Sequence, residues 1–305
     1  MAGERSVTSP ELADTVIIEA AINGGTPKSR NATVPRTPAE IAEDGLRCLE
    51  VGAAIVHNHN DEPVVGDAPE HDPAPYLEAW NVILAERPDA LLYPTMPSGG
   101  PHTTFERRYS HIPALAEAGV LRIGLVDPGS VNVGGRGPDG RAADIEATYL
   151  NTFRDARKMF DTCHRYNLGP SISIFEPGFL RVALAEHEAG TLPPGSLVKF
   201  YFGSERTLSG LPPTPAGLEA YLDMLSGTGL PWSVAVRAGD VVECGMAELA
   251  ISRGGHVRIG LEDYAGPGEP SNLDLMQGLL EVIERIGKRP ATPDEAAAIL
   301  EIPSR

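Results

Sequence analysis

His57 and His59 are separated by one residue at the end of the apolar run Ala53–Val56. On an extended strand, side chains two residues apart share a face. Both imidazoles therefore point the same way and pre-form two ligands for a borderline-soft cation such as Zn²⁺; another divalent metal is compatible with the same donors. A third ligand must come from elsewhere, and Glu262, directly after a late apolar strand, is the candidate. Two histidines and one glutamate leave open coordination positions, which is the pattern of a catalytic metal site rather than a structural one. The competing reading is a polar strand end without metal, since histidine has several other uses.

The late strand, His256–Gly260, carries Arg258 inside an otherwise apolar run, and Asp263 follows Glu262. A buried guanidinium requires a carboxylate or phosphate partner. Arg258 and Asp263 form either a catalytic pair beside the metal or a structural pair closing the fold. His256, at the strand start, falls at the opposite end and is not counted as a ligand. Ser98-Gly99-Gly100 is expected to present backbone N–H groups to an anion, because glycine permits the close approach and positive φ of such a nest. Gly129-Ser130 has the same potential. Glu176, before Pro177, is either a buried base or a solvated loop acid. Arg107 and Arg108 read first as a solvated face, with phosphate contact as the alternative.

These residues need a scaffold that brings distant strand ends together. Eight β-branched or apolar runs alternate with helical stretches: Thr15–Ala21, Ala53–Val56, Ala90–Pro94, Leu121–Val126, Ile172–Phe175, Leu197–Phe202, Trp232–Val236 and His256–Gly260. Thr37 and Pro38 open the first helix as cap and first-turn proline. The longest helix is expected over 142–167, after a Gly/Pro-rich loop at 127–140, and one helix over 104–118. Strands apolar on both faces, alternating with helices, indicate a covered parallel sheet. Eight such units make an α/β chain of the (β/α)₈ TIM-barrel type, with reactive groups at the C-terminal strand ends. The loop after the first strand, Asn23-Gly24-Gly25-Thr26-Pro27, lacks the G-x-G-x-x-G turn of a dinucleotide-binding open sheet. No composition break divides the chain, so 1–305 reads as one domain with a short polar N-terminal extension and a C-terminal helical tail.

Composition narrows the function. Of 305 residues, 25 are Lys or Arg and 42 Asp or Glu, a formal charge of −17. Such a chain repels the phosphate backbone, which argues against nucleic-acid binding. No span of membrane-crossing length and no targeting signal is visible, and the three cysteines fit a reducing cytoplasm better than a disulfide framework.

The chain resembles the beta-keto acid cleavage enzymes, whose best-known activity is cleavage of 3-keto-5-aminohexanoate. The matching pieces are IIEAAINGG in the first strand, VHNHN, SGG after strand three, GSVNVG, SISIFEPG and, most specifically, GGHVRIGLEDY. The resemblance implies a barrel, zinc, commonly a homotetramer, and a retro-Claisen reaction in which a β-keto acid and acetyl-CoA as co-substrate give acetoacetate and a new acyl-CoA. By motif position, the metal ligands fall on His57, His59 and Glu262, and the catalytic residues on Arg258, Asp263 and Glu176. Substrate contacts fall on Thr26, Ser98, Gly99, Gly100, Asp127 and Ser130.

This chain departs from the family at Thr26, at Pro97 in the usual S-T-G-G, at Asp127, and at Asn58 and Asn60 beside the histidines. The best acid is therefore expected to differ from 3-keto-5-aminohexanoate. Asp127 at the pocket rim would favour a polar or cationic side chain. Two rivals remain. A metal-dependent hydrolase of the amidohydrolase type places H-x-H after the first strand and needs further histidines after strands five and six. A non-catalytic carboxylate-binding barrel leaves the metal and the Arg–Asp pair without a purpose.

Overall fold

Each expected apolar run forms a short strand buried on both faces: β1 (Ile18–Ala21), β2 (Ile55–Asn58), β3 (Leu91–Pro94), β4 (Ile123–Val126), β5 (Gly169–Ile174), β6 (Leu197–Gly203), β7 (Trp232–Arg237) and β8 (His256–Ile259). The computed structural model describes residues 12–66, 70–100 and 102–304, so most of the polar N-terminal extension lies outside the described residues. The strands run parallel in the order β3-β2-β1-β8-β7-β6-β5-β4. The first and last of this series, β3 and β4, also touch, which closes the sheet into the expected (β/α)₈ barrel.

Helix α1 (Pro38–Val51) follows β1 and α2 (Ala74–Glu86) follows β2, and α3 (Phe105–Tyr109) and α4 (His111–Glu117) connect β3 to β4. Beyond β4 come α5 (Phe153–Tyr166), α6 (Pro177–Glu188), α7 (Pro215–Leu225), α8 (Met246–Ser252), α9 (Asn272–Arg285) and α10 (Pro293–Leu300). Local chemistry starts them. Thr37 caps α1 in a reciprocal box with Glu40, and Pro38 occupies the first turn, as the sequence predicts. Thr152 with Asp155, Ser271 with Asp274 and Thr292 with Glu295 repeat the device.

Two expectations are corrected. The helix expected over 142–167 begins only at Phe153, because the Thr152–Asp155 box starts it there. The preceding Thr148–Tyr149 is instead extended and pairs antiparallel with Val131–Asn132. The helix expected over 104–118 breaks at Ser110. Pro113 has no N–H to donate to the carbonyl four residues back.

Gly260 lets β8 end in contact with β1. Its φ is +145°, and a Cβ there would lie 2.1 Å from the Ala21 carbonyl oxygen. The chain then turns so that Glu262 and Asp263 stand over the barrel mouth. Gly24, φ +56°, leaves room on the other side: a Cβ there would meet Glu262 Cγ at 2.4 Å.

Candidate metal centre and active site

His57 and His59 project from the C-terminal end of β2, and Glu262 reaches them from the turn after β8. His57 Nε2 lies 3.0 Å from Glu262 Oε2, and His59 Nε2 lies 3.3 Å from Glu262 Oε1. One donor atom from each residue lies within 4.8 Å of the others. His57 Nδ1 faces the Tyr93 carbonyl at 3.2 Å, which fixes the tautomer that leaves Nε2 free to bind. Both ring nitrogens of His59 and Glu262 Oε2 are buried without a hydrogen-bond partner. Buried polar atoms are rarely left in that state. Together with His57 Nε2, the orphaned His59 ring and Glu262 carboxylate make a convergent donor set that fits a divalent metal.

The charges are arranged for the same purpose. Burial, opposed by Glu262, holds His57 down to about 4, so its imidazole is neutral near pH 7. Burial would raise Glu262, but Arg258 and the two imidazoles outweigh it and keep the carboxyl well below its ordinary range. Asp263 goes the other way, raised by burial and by the adjacent Glu262 charge against the pull of Arg258. Two neighbouring carboxyls are thus driven apart, a pattern associated with divided roles in a site.

Arg258 is the hub. Its Nε donates to Asp263 Oδ2 at 2.7 Å, its Nη1 to Glu19 Oε1 at 2.7 Å and to the Tyr93 hydroxyl at 3.1 Å. Nη2 lies 2.8 Å from Glu262 Oε1. The Arg258 side chain is 1% exposed, so its contact with Glu19 is fully buried, while Glu262 and Asp263 are its partly exposed partners toward the mouth. Below it, Lys199 Nζ lies 3.1 Å from Glu19 Oε1, and Tyr93 hydrogen-bonds both groups. Burial alone would raise Glu19; Lys199 and Arg258 bring it down to about 2. The barrel floor is therefore a fully paired ionic layer.

The other expected residues divide. Thr26 lines a cavity of about 270 Å³ beside Glu262 and Asp263, and its hydroxyl donates to the Leu261 carbonyl at 3.3 Å. The Ser98–Gly100 nest is corrected: the Ser98 and Gly99 amides both donate to the Val64 carbonyl and the Gly100 amide to Thr103 Oγ1. Those N–H groups are already used, leaving the Ser98 side chain.

Asp127 is corrected as a rim charge. It is buried, bonded by the Tyr149 hydroxyl, and burial pushes its pKa up. Ser130 Oγ donates to the Asn151 carbonyl at 2.9 Å and fastens that same loop. Glu176 is not brought to the metal cluster; its Oε1 accepts from the Gly210 amide at 3.1 Å. Arg108 is no solvated face. It is buried and ties the Pro97 and Leu150 carbonyls and the Asn151 side chain together. His256 stays at the far end, as expected, with Nδ1 accepting from the Ile17 amide at 3.1 Å.

The family model for beta-keto acid cleavage enzymes matches residues 15–302, nearly the whole chain. This chain belongs to the beta-keto acid cleavage enzyme family. Among its relatives, a 3-keto-5-aminohexanoate cleavage enzyme of Fusobacterium nucleatum subsp. nucleatum is 27% identical over 299 residues, covering 95% of this chain and 99% of that protein. A 3-dehydrocarnitine:acetyl-CoA trimethylamine transferase of Rhizobium meliloti is 26% identical over 312 residues, covering 95% and 97%. A solved binary complex of ObcA with oxaloacetate superposes with a TM-score of 0.65 over 89% of this chain and 68% of its own, at 15% identity, a likeness of fold.

Within this family member, the two asparagines beside His57 and His59 turn out to hold structure. Asn58 Oδ1 accepts from the Trp80 indole at 2.8 Å, outside the barrel, and Asn60 Nδ2 donates to the Asp72 carbonyl at 3.3 Å. Sequence reasoning overlooked Lys199 and Tyr93. Lys199 carried a usable signal, since it is a lone cation inside the apolar run Leu197–Gly203, the same signature that drew attention to Arg258. Tyr93 carried none, because a strand tyrosine is ordinary.

Proposed function

We propose that the chain catalyses retro-Claisen acyl transfer on a β-keto acid, with zinc held by His57, His59 and Glu262 and with acetyl-CoA as co-substrate. The C1–C2 fragment of the acid receives the acetyl group and leaves as acetoacetate. The remaining acyl group ends on the CoA sulfur, and no water is consumed. The observation that carries this reading is the convergent His57–His59–Glu262 cluster, with the His59 ring and Glu262 Oε2 unpartnered, standing directly against the Arg258–Asp263 pair. Bound there, a divalent metal supplies Lewis-acid stabilisation of negative charge on the keto oxygen.

The chain's own groups do the rest. Arg258, clamped by Glu19 from below, orients Asp263 through Nε and holds it over the mouth. Asp263 takes and returns the proton of the acidic carbon between the keto and carboxyl groups. Ser98 receives the carboxylate with its side chain, on the loop after β3. Glu176 acts as a positioning residue, anchoring the loop after β6 through Gly210. The homotetramer and a cytoplasmic setting belong to the same proposal. The three free cysteines fit a reducing cytoplasm.

The test is a panel of β-keto acids incubated with the zinc-loaded protein, with and without acetyl-CoA, scored by mass for acetoacetate. Acetyl-CoA-dependent acetoacetate is the expected result. Cleavage that ignores acetyl-CoA would point to a hydrolase, and no product from any acid would overturn the enzymatic reading. Metal analysis of wild type and His57→Ala accompanies it, with loss of zinc expected in the variant.

A further inference from the structure

Across the barrel mouth from the Ser98 loop stands a cation that the reaction above does not use. Arg237 ends β7, and Ser98 follows β3; four pairings separate those strands in a ring of eight, so they are diametrically opposed. The metal ligands on β2 and β8 lie between them. A substrate with its carboxylate at Ser98 and its keto group at the metal therefore directs its far end toward Arg237.

Arg237 is prepared for a partner it does not have. Its guanidinium packs over the Phe175 ring at 5.0 Å, which fixes its plane. Among the described residues it donates to Ser209 Oγ at 3.2 Å and forms no ion pair. A guanidinium offers five N–H donors in a rigid fork suited to carboxylates. Arg237 lines the 270 Å³ cavity together with Thr26, Arg30, Thr207, Glu262 and Asp263. Arg258 contacts both acids directly, at 2.8 and 2.7 Å, whereas Arg237 reaches Asp263 only through the longer-range field and makes no direct contact with it. The other polar side chains on the walls are the two arginines and the hydroxyls of Thr26, Thr207 and Tyr264. In a chain of net charge −17, such a local reversal of field marks a place for an anion.

We propose that Arg237, assisted by Arg30, receives a second anionic group at the far end of the substrate, so that the preferred β-keto acid is a dicarboxylate. This rests on the cleavage reading above, and it reverses the cationic side chain that Asp127 suggested in the sequence. The cavity lies below the roughly 300–1,000 Å³ of sites that enclose drug-sized ligands. It suits the end of a short acid better than the nucleotide of CoA, the other source of anionic oxygens in this reaction.

The experiment compares 3-oxoadipate with 3-oxohexanoate, equal in length and differing in the end group. They are assayed with wild type, Arg237→Gln and Arg237→Lys. Wild type is expected to favour the dicarboxylate in kcat/KM. The dicarboxylate-to-monocarboxylate ratio should fall about 10- to 100-fold in Arg237→Gln, the scale of a lost charge-assisted hydrogen bond, and be partly restored in Arg237→Lys. The ratio is internal to each protein sample, so partial misfolding does not imitate the effect. Equal losses on both acids would assign Arg237 to the carboxylate they share, and a raised KM for acetyl-CoA alone would assign it to a CoA phosphate. Either result overturns the inference. Turnover of 3-oxohexanoate without preference would leave cleavage standing and remove the dicarboxylate. Should wild type turn over neither acid, calorimetric binding of inert adipate against hexanoate decides the matter: tighter adipate binding lost in Arg237→Gln supports the anion site, and no difference removes it.

Discussion

Asn23 and His59 hold each other through reciprocal hydrogen bonds. Asn23 Oδ1 accepts from the His59 amide at 2.8 Å, and Asn23 Nδ2 donates to the His59 carbonyl at 3.0 Å. The end of β1 thereby fixes the backbone just beyond β2 and aims the imidazole without occupying either ring nitrogen. Removing partners that orient a metal ligand typically costs about 10- to 100-fold in affinity. Asn23→Ala should bind zinc weaker by about that factor, read by competition against a chromogenic chelator, with the fold intact by circular dichroism. An unchanged affinity would show that His59 needs no such clamp.

The Glu19–Lys199 pair makes a prediction about stability. Both side chains are 1% exposed, and Glu19 also carries Arg258. Breaking a buried pair leaves an uncompensated charge, at a cost of about 3–5 kcal/mol. Lys199→Met should lower unfolding free energy on that scale in urea titrations. The double variant Glu19→Gln/Lys199→Met should lose less than the sum of the singles, by about 1–3 kcal/mol. Strict additivity would mean that the two groups do not stabilise each other.

The parts of this site that were legible in the sequence share one property: a residue type out of keeping with its surroundings. His57 and His59 on one strand face, and Arg258 within an apolar run, announce themselves by burial pattern alone. Asp127 and the Ser98–Gly100 amides misled because their partners are remote in sequence. Tyr149, which satisfies Asp127, lies in a stretch that reads as helix until the Thr152 cap is recognised. Val64, which consumes the Ser98 and Gly99 amides, lies in the loop after β2, and no local pattern connects the two. Arg237 was passed over because an arginine at a strand end is ordinary; only the barrel's closure places it opposite Ser98.

A second stability prediction concerns pH. Asp44 on α1 is pushed up to about 6 by burial, against the hydrogen bond from Asn272 Nδ2 at 2.6 Å. Its unfolded value is near the ordinary ~3.9. As pH rises, the unfolded chain releases this proton first, so the folded state loses stability between about 4 and 6 and stays less stable above. Asp44→Asn keeps an acceptor for Asn272 but cannot ionise. It should be more stable than wild type at pH 7 by about 3 kcal/mol and close to it near pH 4. Parallel thermal melts at the two pH values give the comparison, and a variant destabilised at pH 7 would refute the assignment. The site has a stake in this: Asn272 Oδ1 also accepts from the Leu261 amide at 2.9 Å, directly before Glu262.

Asp263 separates a catalytic pair from a structural one. Its backbone is fixed independently of its carboxylate, since its amide donates to the Gly260 carbonyl at 3.2 Å and its carbonyl accepts from the Gly239 amide at 3.1 Å. Asp263→Asn should therefore keep the turn in place and keep Oδ1 available to Arg258 Nε. What it removes is the ability to take a proton. General acid–base groups contribute about 10²- to 10⁴-fold, so kcat should fall in that range while zinc content stays at the wild-type level. Arg258→Ala is a poorer probe, because it strands the Glu19, Glu262 and Asp263 carboxylates together and damages the floor as well as the mouth. If Asp263→Asn turned over substrate like the wild type, Asp263 would be no more than a counter-ion for Arg258. The proton would then have to move through another group at the mouth.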